Sequence, residues 1–183
     1  MCLALSVLLW LPAAGAESED ARLADGLRQR RLFPLGEAFC RDRLADAALG
    51  DADRVDLVIQ LQRCYAAHAA HASPADREPL WQAARQAAAD FERDRAANPR
   101  QILVRVQDAL TVAARGELLR LEAELLPDSG RSLDDAKSAF REASRLLEQR
   151  DAELTRELPQ RHRQSSREED LSAQERTKLQ HHA

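Results

Sequence analysis

A chain of 183 residues with 27 basic against 31 acidic side chains has a formal charge of −4 and a pI near 5.8, so it lacks the electrostatic basis for binding nucleic acid or an anionic membrane surface. Hydrophobic residues at 44% are enough to build a core, while aromatics at 4% with only 6 glycines and 7 prolines favour helices over sheets. Lys137 and Lys178 are the only lysines, so the basic charge is arginine spread along the chain, the pattern of solvated helix faces rather than of a phosphate-binding patch.

The first distinct stretch is the apolar run of residues 3–11, followed by Pro12, by Ala14-Gly15-Ala16 and then by the acidic turn Glu17-Ser18-Glu19-Asp20. The run is too short to span a bilayer but has the form of a signal peptide's hydrophobic region ahead of an Ala-x-Ala site. We expect residues 1–16 to be a signal peptide, with export to the periplasm or the extracellular space. No basic residue precedes the run. No membrane insertion is expected after cleavage, and Cys2 lies in no lipoprotein-type motif.

Ser18 caps a first helix with Glu19 and Asp20 in its first turn, where carboxylates favour the positive end of the dipole. Leu23 and Leu27 are its apolar positions. Pro34 sets a turn near residues 32–34, and a second helix is predicted over 35–48 with Phe39, Cys40 and Leu44 inward. The third helix, residues 52–72, presents Val58, Leu61, Tyr65 and Ala69 at steps of three and four. Ser73-Pro74 and Pro79 predict a turn over 74–78, then a fourth helix presenting Trp81, Ala84, Ala88 and Phe91 until Asn98-Pro99 stops it. The fifth helix spans about residues 100–126, with Leu103, Val106, Leu110 and Ala113 before Gly116 and Leu118, Leu121 and Leu125 after it. Gly116 marks either a kink or a close helix contact, and the contact is the favoured reading. Pro127 to Gly130 form a loop, and Ser132 with Asp135 resembles a capping box opening a sixth helix that continues to Leu158. Residues 159–167 are polar and aperiodic, and the capping-box pattern Ser172 to Glu175 just before the last residues reads as the start of a truncated further helix. The expected domains are therefore a leader at 1–16, a helical domain at 17–158 and a polar segment at 159–183, in a fragment of a longer repeat protein.

On the sixth helix Ala136, Phe140 and Ala143 form a small, aromatic, small stripe on one face. Ala87 and Phe91 repeat two of its three positions, with Pro99 closing the helix, and Gly36 and Cys40 repeat it more loosely, preceded by Leu23, Ala24 and Leu27. This stripe resembles the second helix of tetratricopeptide repeats. The offsets depart from that family's unit of about 34 residues, since 51 residues separate Gly36 from Ala87 and 49 separate Ala87 from Ala136. The resemblance implies an all-α fold of three antiparallel helical hairpins stacked as a short solenoid. It also implies a non-enzymatic scaffold that presents a concave surface to a protein or peptide partner. On that surface Arg63, Arg105 and Arg115 are the partner-binding candidates for acidic groups. The alternative function is a self-associating structural envelope protein, because Phe140, Leu147, Leu154 and Leu158 run near heptad spacing, a short coiled-coil seam.

Chemistry of other kinds finds little support. The glycines at 15, 26, 36, 50, 116 and 130 are scattered, so no phosphate-cradling loop can be drawn, and neither a paired-His metalloprotease motif nor a nucleophile elbow is present. No enzyme activity and no cofactor are expected. Cys64, His68 and His71, at i, i+4 and i+7 of one helix, are the weak metal candidates, since a thiolate and two imidazoles can ligate zinc. A buried cysteine with two boundary histidines fits equally well, and no metal is the expectation. Cys40 and Cys64 are the only cysteines after the leader, either as a disulfide or as buried thiols.

Overall fold

The computed structural model describes residues 18–125 and 133–156. The leader at 1–16, the loop and cap at 127–132 and the polar segment at 159–183 lie outside the described residues. Within the described residues the chain is all-α, with six helical segments and no strand. They are α1 (Glu19–Gln29), α2 (Phe33–Leu44), α3 (Asp51–His71), α4 (Arg77–Asp94), α5 (Gln101–Leu125) and α6, residues 133–156.

Local chemistry sets most of the boundaries. Ser18 Oγ accepts from the Ala21 amide at 3.2 Å, and Glu19 and Asp20 occupy the first turn of α1. That helix ends in a left-handed residue, Arg31 at φ 60°, with the Leu32 amide reaching back to the Leu27 carbonyl at 3.0 Å. This is the closing geometry usually given to glycine. Pro34 sits in the first turn of α2, where its missing N–H costs nothing.

Two predicted boundaries move. The fourth helix starts at Arg77 rather than at about residue 79, because Pro79 falls within the first turn, whose amides have no intrahelical acceptor. The second helix stops at Leu44, short of Ala48, because the buried Arg54 of α3 takes over its last carbonyls. Arg54 Nη1 donates to the Leu44 carbonyl at 2.6 Å and Nη2 to the Asp46 carbonyl at 2.8 Å.

Helix α3 is the hub. It packs against α1, α2, α4 and α5, and the pairs α1–α2 and α4–α5 complete the neighbour list of the first five helices. Its sequence explains this position, for its apolar residues lie on two sides rather than one. Leu57 and Leu61 meet Ala24 of α1 and Cys40 of α2, while Val55 and Val58 meet Ala88 and Phe91 of α4 and Val104 of α5.

Helices α5 and α6 run antiparallel, with Ala109 and Val112 against Ala143 and Leu146, and Leu119 against Ala136 and Ala139. Gly116 lies between these two groups. A Cβ at Gly116 would stand 3.2 Å from Ala139 Cβ and 3.3 Å from the Phe140 ring. The glycine therefore serves close contact inside an unbroken helix.

The buried stripe of α5 differs from the predicted one. Leu103, Leu121 and Leu125 are exposed, as is Leu23 on α1, whereas Val104, Ala109, Thr111, Val112, Gly116 and Leu119 are buried. Helix α5 touches α3 and α4 on one side and α6 on the other. Small residues that let backbones approach decide which faces turn inward, at the expense of the larger leucines.

Candidate functional site

The densest gathering of reactive side chains lies where α2 crosses α3. Helix α2 contributes Phe33, Gly36, Glu37 and Cys40, all buried, and α3 contributes Cys64, His68 and His71. Glu37 carries a carboxylate into this interface and pairs with His68 Nδ1 at 2.7 Å. Phe33 is flanked by both imidazoles, with ring centroids 5.6 Å from His68 and 5.2 Å from His71. His71 Nδ1 meets the Ala67 carbonyl of its own helix at 2.9 Å.

Cys64 takes a different direction. It is fully buried, and the position a Gly36 Cβ would take is 3.1 Å from its Sγ. The neighbouring thiol is Cys40 of α2. Its proximity, helped by the charge of Arg28, outweighs burial and holds Cys64 below the ordinary thiol value. The facing Cys64 and burial drive Cys40 far above it.

Cys64, His68 and His71 therefore share a helix but not a centre. The sulfur faces Cys40 and Gly36, His68 is held by Glu37, and His71 caps a carbonyl near the surface. Among the described residues no group of three or more His, Cys, Asp or Glu side chains is placed to hold a metal ion.

The three arginine candidates are all engaged within the chain. Arg63 Nε donates to Gln107 Oε1 of α5 at 2.9 Å. Arg105 meets Glu92 of α4 at 3.3 Å and Glu153 of α6 at 2.9 Å, and Arg115 meets Glu78 of α4 at 2.9 Å. A partner that used these guanidiniums would share them with these internal acceptors.

The last two arginines belong to a ladder of charge that the sequence reading missed. Along the antiparallel α4–α5 contact, Arg77 pairs with Glu122, Glu78 with Arg115, Arg85 with Asp108 at 3.5 Å and Glu92 with Arg105. Helix α6 adds Glu142 to Arg85 at 3.0 Å and Glu153 to Arg105. Glu78, Arg85 and Glu92 are seven apart with alternating sign, a signal present in the sequence that points to a partner helix of opposite alternation. Burial pushes the Asp108 carboxyl up by more than Arg85 pulls it down.

Comparison with protein-family models, with curated proteins and with solved structures gave no match. Among the described residues no helix is long and apolar enough to cross a membrane.

Proposed function

We propose that this protein is a non-enzymatic interaction scaffold of the tetratricopeptide-like class, exported through residues 1–16, whose odd-numbered helices present a surface to a protein or peptide. The observation that carries the reading is the neighbour pattern of the helices. Each of α1 and α3 packs on the next odd helix as well as on the even helix between them, which is how stacked helical hairpins bury their faces. Helices α3 and α5 also keep a constant register. Asp56 meets Arg100 at 2.9 Å and Arg63 meets Gln107 at 2.9 Å, both 44 residues apart, so α3 and the start of α5 run parallel. By the same offset Ala70 on α3 corresponds to Ala114 on α5, and both are exposed.

A photoreactive residue placed at Ala70 or at Ala114 tests the reading, with the exposed Ala89 of α4 as the control face. In envelope extracts of the source cells, one common adduct from Ala70 and Ala114 and none from Ala89 is the expected outcome. Equal labelling from all three positions, or none from any, would remove the support for a presented face. N-terminal sequencing tests export: the mature chain should begin at Glu17, and intact Met1 on cytoplasmic protein would refute it.

The second reading, self-association, is favoured by Leu147 and Leu154, both 37% exposed and seven residues apart on α6. Light scattering separates the two. A mass that rises with concentration, and that Leu147→Ala abolishes, favours assembly over presentation.

A further inference from the structure

Among the described residues Cys40 and Cys64 are both free and fully buried, on the neighbouring helices α2 and α3. Cys40 packs among Leu57 and Leu61 of α3, and Cys64 lies one turn beyond Leu61 on that helix. Gly36 lies one turn before Cys40 on α2, and its bare backbone leaves the space that the Cys64 sulfur fills, since a methyl there would be 3.1 Å away. The Cys64 sulfur is thus seated against Gly36, one turn from Cys40 on the same face of α2. A small residue and two cysteines meeting at one helix crossing is more than filling a core requires, for alanine or valine would do that without a reactive group.

We propose that Cys40 and Cys64 are a redox pair that closes to a disulfide between α2 and α3, with a low-molecular-weight disulfide such as oxidised glutathione as the oxidant. Cys64, as thiolate, attacks one sulfur of the oxidant; a mixed disulfide forms and the first thiol leaves. Cys40 then attacks Cys64 Sγ, the Sγ–Sγ bond forms and the second thiol leaves. The two cysteine protons go to the two leaving thiolates, so two thiols are oxidised and one external disulfide is reduced. Arg28 beside Cys64 favours the thiolate that begins the exchange. Helix α2 packs on α1 and α3, and its Leu44 reaches the core shared by α3, α4 and α5, so exchange at the buried Cys64 proceeds through local opening of the α1–α2 pair. Once closed, the bond fixes the α1–α2 pair to the hub helix.

The full chain with Cys2→Ser leaves Cys40 and Cys64 as the only thiols. The reduced protein is incubated with graded mixtures of reduced and oxidised glutathione in native buffer, quenched with maleimide, and read by intact mass, by peptide mapping and by circular dichroism. The expected result is a monomer that loses both thiols together and the mass of two hydrogens, yields a linked Cys40–Cys64 peptide, keeps its helicity and melts at a higher temperature than the reduced form. Gly36→Ala, which keeps both cysteines, should slow closure because its methyl displaces the Cys64 sulfur. The proposal is overturned if both thiols still react with maleimide after unfolding of the fully oxidised sample, if separate glutathione adducts accumulate on each cysteine, or if the linked peptide forms only in urea.

Discussion

Gly116 is where the α5–α6 contact can be tested most sharply, because two opposing effects meet at one carbon. Replacing glycine by alanine inside a helix gains about 1 kcal/mol of propensity. At Gly116 the new methyl would stand 3.2 Å from Ala139 Cβ, an atom fixed to the backbone of α6, and 3.3 Å from the Phe140 ring, which can rotate. Relieving the first contact requires the helices to separate, and overpacking of that kind costs about 1 to 3 kcal/mol. Gly116→Ala is therefore expected to be neutral to destabilising by up to about 2 kcal/mol. Ala139→Gly, at a buried position, loses about 1 kcal/mol of propensity and about 0.8 kcal/mol for the buried methyl. In the double variant the methyl at 116 enters the space vacated at 139, so most of the strain should vanish and the coupling between the sites should reach about 1 to 2 kcal/mol. Gly26 supplies the control. A methyl there meets only Arg30 Nη1 at 3.1 Å, the free end of a flexible side chain, so Gly26→Ala should stabilise by about 0.5 to 1 kcal/mol. Urea unfolding of the five proteins followed by circular dichroism gives all the numbers. Additivity of the Gly116 and Ala139 effects to within about 0.5 kcal/mol would refute the close contact.

Three further outcomes are expected. Gln62 is fully buried and neither of its side-chain amide atoms has a hydrogen-bond partner, so Gln62→Met, which keeps the length and drops the amide, should stabilise by about 1 to 2 kcal/mol in urea melts. A loss of more than about 1 kcal/mol would mean that the amide is bonded in solution. Arg54→Leu should cost about 2 to 4 kcal/mol, since it strips the donors from the end of α2, and Arg54→Lys should recover only part because a point charge cannot fork to Leu44 and Asp46; equal stability of all three proteins would sink the capping role. Asp108 binds its proton more tightly in the folded chain than its ordinary value of 3.8, so its contribution to stability is present below 3.8 and is lost as pH rises through the raised folded value. Asp108→Asn should therefore remove part of any fall in stability between about pH 4 and neutrality, and an unchanged pH profile would contradict the burial effect.

The all-α fold was legible because alanine and leucine recur at helical steps and Pro34, Gly50, Pro74 and Pro99 stand at or near the helix boundaries. Ser18, Pro34 and Gly116 also showed their roles, since a cap, a first-turn proline and a glycine inside a long helix are local signals. The inward face of α5 was not legible. A helix held between neighbours on both sides has apolar residues most of the way round, and the choice among them rests on how closely partner backbones approach. Long-range polar partners were hidden for a similar reason: Arg54 ends a helix from outside it, and Arg63, Arg105 and Arg115 find acceptors on other helices. The histidines next to Cys64 invited a metal, but helical spacing says nothing of Glu37, whose buried carboxylate claims His68, or of Phe33, whose ring packs against both imidazoles.

The charges between α4 and α5 also fix alignment. The buried face of α4 sets Trp81 and Phe91 beside Ala84 and Ala88, and this packing resists a slide through shape, whereas charge resists it through sign. A slide of seven residues one way brings Glu78 opposite Asp108. The other way it brings Arg85 opposite Arg115 and Glu92 opposite Asp108. Each such meeting exchanges an attraction for a repulsion of a few tenths of a kcal/mol to about 1 kcal/mol, small singly but of one sign along the whole seam. The alternation works like the cuts on a key: it adds little to how tightly the helices hold, and it sets the one alignment in which every charge along the seam meets its opposite.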